Sequence, residues 1–243
     1  MINLFSTNKI ETDANVKQQL ISCGIEKVDF TGVPIEYQNE IANAVTSMCS
    51  KYPELKGYIG GMYVGNLRSG VLACAGPTSD DSGFSTEIII SREAFTSANL
   101  EHRLNQMSRT KLNGQRWLAG RGIQGVIKHE MSHLLHLKMI SDSYDVSPNQ
   151  HNISKLHDIE KDYMHNAIVT NMCYSAIREL GIHPNDIARN LSTYGAHDFG
   201  ECFAEAISEY ETTEYPRRLC TLIHEKYIKR RNERSGQNDN IAT

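Results

Sequence analysis

Residues His129-Glu130-Met131-Ser132-His133 spell H-E-x-x-H inside a stretch with helical apolar spacing. Two imidazoles four residues apart lie on one helix face, about 6 Å apart along the axis. That separation lets both rings turn onto a single ion, with Zn–N contacts of about 2.0–2.1 Å. The carboxylate between them then aims at a water on that ion, the arrangement for metal-assisted hydrolysis. A wheel from Ile123 puts Val126, Ile127, Met131, Leu134, Leu135 and Leu137 on an apolar arc, with Lys128 and Ser132 opposite. Glu130 falls near the middle of that arc, where a carboxylate without a partner is costly to desolvate. The two His sit at its edge, where half-buried ligands belong.

A hydrolytic zinc needs three protein ligands and an open position. His136, three residues after His133, is the nearest candidate for the third. A straight helix does not easily wrap three side chains around one ion, and a rim or half-buried position is the commoner fate of such a histidine. The better candidate lies in Tyr194-Gly195-Ala196-His197-Asp198-Phe199-Gly200-Glu201-Cys202-Phe203-Ala204-Glu205-Ala206. There Glu201, Glu205 and Glu209 share one helical face, opposite a stripe of Phe203, Ala206, Ile207 and Tyr210. On pattern alone, an acidic stripe of this kind reads as a solvated face.

This segment resembles the glutamate helix of the gluzincin metallopeptidases. More specifically, Ser192-Thr193-Tyr194-Gly195, Glu201 seven residues after the tyrosine, and Phe203-Ala204-Glu205-Ala206 are similar to the catalytic domain of anthrax lethal factor and its relatives in toxins and phage head-associated proteins. The resemblance spans about Ile123 to Tyr210 and implies a zincin-like fold and a zinc-dependent endopeptidase. It implies that His129, His133 and Glu201 bind one zinc ion, with Glu130 as general base and the Tyr194 hydroxyl facing the reacting carbonyl. It further implies that Glu205 holds a ligand histidine in its tautomer. Ser132 stands where many relatives carry Gly, and the interval from His133 to Glu201 is longer than in the toxin. His197 has no counterpart; capping the glutamate helix is the expectation for it, lining the site the alternative. A protein or peptide substrate follows from this reading, as does a phage or toxin-delivery partner. The contrasting function is a virion- or complex-associated structural protein with a vestigial or stabilising zinc site.

The elements that must position these residues read as α+β. Residues 1–25 are polar and weakly patterned, a flexible arm with a short helix around Val16–Ile21. A single domain over 26–234 divides into a sheet-containing lobe, 26–140, and a helical lobe, 141–234. In the first lobe, a strand at Lys27–Phe30 precedes a helix from Pro34 to Pro53. Strand-like runs follow at Tyr58–Val64, Val71–Ala75 and Thr86–Ser91, the first two reading as a hairpin and the third as an edge strand against which a substrate could lie. A loop covers 78–83, and a helical or irregular stretch runs to Gly114. The motif helix covers about Arg121–Ile140. A polar loop at Ser141–Asn152 leads to one long helix, about Lys155–Leu180, stopped by Gly181 and Pro184. A short helix at Pro184–Leu191 and two more, Phe199–Thr212 and Pro216–Arg231, complete the helical lobe, with a disordered tail at 235–243. The basic run Lys229-Arg230-Arg231 with Arg234 reads as a solvated helix end.

The chain has 243 residues, 40% hydrophobic and 22% charged, which suffices for a substantial core. A formal net charge of −4 argues against a general grip on nucleic acid. Six scattered Cys with no C-x-x-C pair suit reduced, mostly buried thiols. No signal-peptide pattern and no run of 18 apolar residues is present, so the expectation is a cytoplasmic protein, or one delivered to a host cytoplasm, without a membrane partner.

Overall fold

The computed structural model describes residues 11–80, 83–109, 111, 113–147 and 153–239. Helix α1 (Ala14–Ser22) starts at Asp13, whose carboxylate accepts from the backbone N–H of Asn15 and Val16 at 2.9 and 3.1 Å. Within the expected arm this helix is packed: Val16, Leu20, Cys23 and Ile25 are all buried in the core. Four apolar residues sufficed to anchor a segment whose overall composition is polar. Residues 1–10 lie outside the described residues.

Strand β1 (Lys27–Asp29) and helix α2 (Ile35–Lys51) lead to β2 (Gly61–Gly65), β3 (Ala73–Asp80) and β4 (Gly83–Ser91). The sheet order is β1-β2-β4-β3, with β2 parallel to both β1 and β4 and with β3 antiparallel to β4. The expected hairpin between the second and third strands is not formed. The hairpin joins β3 to β4, and Thr78–Asp80, expected as loop, extends β3; residues 81–82 of that loop lie outside the described residues. Nor is β4 an edge. Its Ile88-Ile89-Ile90 run is that of a central strand: Ile88 and Ile90 are buried on the helix side with Met62 and Val64 of β2. The outer strands are β1 and β3, the latter with Pro77 along it.

Helices α3 (Arg92–Phe95) and α4 (Leu100–Met107) precede α5 (Gly122–Ser143), which carries the H-E-x-x-H residues. A carboxylate oxygen of Glu101 accepts from Ile123 N–H at 2.7 Å, satisfying one free donor at the start of α5. This helix is buried nearly all round, so Lys128 and Ser132, expected on a polar side, are enclosed. Lys128 Nζ is satisfied by the Glu211 carbonyl at 2.8 Å, and Ser132 Oγ by the Lys128 carbonyl at 2.6 Å.

The single long helix expected next is two, α6 (Ile153–Met164) and α7 (Ala167–Glu179), broken where Asn166 adopts a left-handed backbone, φ 52°. Asn is among the few residues that visit this conformation readily. The loop before α6 is shortened by the extension of α5 to Ser143, and its Pro148 lies outside the described residues. After α8 (Ile187–Asn190) come α9 (Phe199–Thr212) and α10 (Arg218–Asp239); α10 runs on past its expected end into the predicted tail. The basic run on α10 turns partly inward. An Arg234 guanidinium nitrogen donates to the Met139 carbonyl at 3.1 Å, and one from Arg231 to the Lys51 carbonyl at 3.3 Å, so these cations cap α5 and α2. One apolar cluster extends from Val16 to Tyr227 and joins both lobes. Among the described residues no helix is long and apolar enough to cross a membrane.

Candidate metal centre

Helices α5 and α9 cross so that the H-E-x-x-H face of one meets the acidic face of the other. Two glycines make room here: Gly120, just before α5, faces Ser208 of α9, and Gly125 of α5 faces Gly120. A Cβ built on Gly125 would lie 2.6 Å from the Gly120 carbonyl carbon, and one on Gly120 would lie 1.9 Å from Ser208 Oγ of α9. Ser208 Oγ in turn donates to the Gly125 carbonyl at 2.7 Å.

Three side chains converge at the crossing. Nε2 of His129 lies 3.1 Å from Nε2 of His133 and 3.1 Å from Oε2 of Glu201, and His133 Nε2 lies 3.4 Å from that same oxygen. A tetrahedral ion with bonds of about 2.0–2.1 Å spaces its donors about 3.3 Å apart, so the triangle has the right size. Glu201 Oε2 is buried yet makes no hydrogen bond of proper geometry, because both neighbouring ring nitrogens lie off line for one. An orphaned acceptor facing two imidazoles suits a cation. His129, His133 and Glu201 can therefore hold a metal ion.

The electrostatics agree. Burial opposes ionisation of Glu201, but the close approach and charge of His129 and His133 outweigh it and hold the carboxyl well below the usual range. Burial works against protonation of His129 as well, yet Glu201 and Glu205 drive its pKa well above 6.5. In Glu130 burial dominates and raises the carboxyl, against the pull of both histidines and of the Ala75 backbone on β3.

Glu205, one turn beyond Glu201, is buried and fully engaged. Its Oε1 is 2.9 Å from His129 Nδ1; its Oε2 accepts from Ser192 Oγ at 2.7 Å and from the Ala119 N–H. The acidic stripe of α9 is thus enclosed where a solvated face was the pattern reading: Glu205 and Glu209 are each 1% exposed. Glu209 is neutralised by Arg116 and Arg217, which no spacing rule singled out. Only the basic residues facing an acidic helix could have hinted at them.

Tyr194 stands in a short turn before α9, its ring centroid 5.6 Å from that of His129 and 6.4 Å from that of Trp117. Burial and then the surrounding carboxylates raise its phenol, so the hydroxyl keeps its proton and can donate. His197 is exposed, its ring 5.4 Å from Tyr194; it does not cap α9, since Asp198 accepts from Glu201 N–H at 2.9 Å. His136 is neither ligand nor rim. It is fully buried, with neither ring nitrogen hydrogen-bonded among the described residues, 5.1 Å from the Tyr163 ring, and burial pushes its pKa down to about 3. A cavity of about 180 Å³ opens beside Glu130, with apolar walls from Val71, Leu72, Leu118 and Val126 and with Trp117 at its rim. Compared with known proteins, the chain matches no family model, no curated protein and no solved structure.

Proposed function

We propose that the chain is a zinc-dependent endopeptidase with a gluzincin ligand set on a zincin-like fold. The observation that carries this reading is the convergence of His129, His133 and Glu201 around one point, with Glu130 on the same helix between the two histidines. Two imidazoles and one carboxylate suit zinc better than magnesium or calcium, which take all-oxygen shells. When bound, the ion supplies Lewis acidity and brings the pKa of a water near neutrality.

The chain's own residues do the rest. Glu130, raised by burial, accepts the proton of the attacking water at Oε and passes it to the leaving amine. Tyr194 donates its hydroxyl proton in a hydrogen bond to the carbonyl oxygen as charge develops there, an effect of about 3 kcal/mol for comparable donors. The edge strand β3, in place of β4, pairs only with β4 among the described residues and offers its other backbone edge to an extended peptide. The apolar cavity beside Glu130 takes a hydrophobic side chain of that peptide.

The test is proteome-wide cleavage-site profiling of wild type against Glu130→Gln, on protein with quantified metal. The expected result is a defined set of cleavages present only with wild type and equal metal in both. Bound metal without any Glu130-dependent cleavage would leave a stabilising ion as the reading and sink the peptidase.

A further inference from the structure

Resting on the peptidase reading, we infer that Arg116 and Glu209 are positioning residues that set Tyr194 at the site. Arg116 holds the tyrosine turn from both its backbone and its side chain. Its carbonyl accepts from Thr193 N–H at 2.7 Å, and the next carbonyl, of Trp117, accepts from Tyr194 N–H at 3.1 Å. Its guanidinium donates to the Leu191 carbonyl, at the start of the same turn, at 3.2 Å and to Glu209. Arg217 repeats the grip from the other side: its guanidinium reaches both the Leu191 carbonyl and Glu209, the latter at 2.8 Å. Two forked cations on one carboxylate fix direction as well as distance.

The consequence is a division of labour along one face of α9. Glu201 lies at the ion-binding triangle, Glu205 braces His129, and Glu209, two turns on from Glu201, anchors the clamp on the turn carrying Tyr194. All three sit on one rigid helix, so the spacing between ligand, imidazole and phenol is set by helical rise. Arg116 adjoins Trp117, the single tryptophan of the chain and 39% exposed, so the strap carries its own optical reporter.

The test combines Arg116→Lys and the isosteric Glu209→Gln, each alone and with Tyr194→Phe, and reads kcat, KM, bound zinc and acrylamide quenching of Trp117. Lysine keeps the charge but cannot serve Leu191 and Glu209 together. Expected for either single variant is a fall in kcat on the order of 10²-fold with KM and bound zinc unchanged. In the Tyr194→Phe background the same change should cost nothing further. Losses that multiply across the double variant, or a fall in bound zinc, overturn the inference. Should wild type cleave no peptide at all, the peptidase reading fails and the clamp is judged by fluorescence. Increased quenching of Trp117 in Glu209→Gln at full zinc content supports it, and unchanged quenching overturns it. Should Arg116→Lys not fold, Glu209→Gln carries the same comparisons.

Discussion

Nδ1 of His129 lies 2.9 Å from Oε1 of Glu205, while Nε2 of the same ring lies 3.1 Å from Oε2 of Glu201. One imidazole is thus held at both edges by carboxylates one turn apart on α9. A carboxylate oxygen accepts, so Nδ1 carries the proton and Nε2 presents its lone pair to an ion. Glu205→Gln should therefore weaken zinc binding by about 10–100-fold while the protein stays folded. Competition titration with a chelating dye measures this, and an unchanged affinity would remove Glu205 from the site.

Acidity should compete with the metal. A raised His129 pKa adds stability that is complete below about 6.5 and lost as pH rises through the folded value. Glu130, also raised, loses its contribution in the same direction. The depressed Glu201 acts oppositely, its contribution being lost as pH falls. Metal-free protein should then melt at lower temperature as pH climbs above about 6.5, and zinc should remove that decline because it takes the place of the His129 proton. Melting curves between pH 5 and 8.5 with and without zinc decide this; a metal-free Tm that rises across the range contradicts the assignment.

His136 is enclosed, neutral and, among the described residues, without a hydrogen-bond partner. An unsatisfied buried polar group costs about 1–3 kcal/mol, so His136→Leu should leave the Tm unchanged or raise it. Bound zinc should stay the same. A loss of zinc in this variant would return His136 to the ligand set.

Gly125→Ala separates helix propensity from packing. Alanine in a helix interior ordinarily gains about 0.8–1.0 kcal/mol over glycine. Here its Cβ would sit 2.6 Å from Gly120, and overpacking of this kind costs about 1–3 kcal/mol. A net loss of several degrees in Tm is expected as the Gly120 backbone is forced away from α5. An increase in Tm would mean that Gly120 packs more loosely on Gly125 than described.

Much of the centre was legible because it rests on fixed helical spacing. His129 and His133 follow from i, i+4, and Glu201, Glu205 and Glu209 share a face by the same arithmetic. Whether that face met water or protein was not legible, because burial of Glu209 depends on Arg116 and Arg217, 93 and 8 residues away. The same holds for Lys128, whose partner is a carbonyl on α9. Strand pairing failed for a related reason. Sequence proximity favoured joining Tyr58–Val64 to Val71–Ala75, whereas the strand with the Ile88–Ile90 run pairs with β2 on one edge and β3 on the other and took the central place. The break at Asn166 was hidden because Asn tolerates a helix as well as the left-handed turn.

Among the described residues β3 pairs only with β4, and an outer strand of this kind is an invitation to a second copy of the same molecule. Pro77, part-way along β3, supplies no N–H to such a neighbour and interrupts the row of donors that fibrillar self-association needs. This outer edge of the sheet is thereby kept from becoming a template for aggregation.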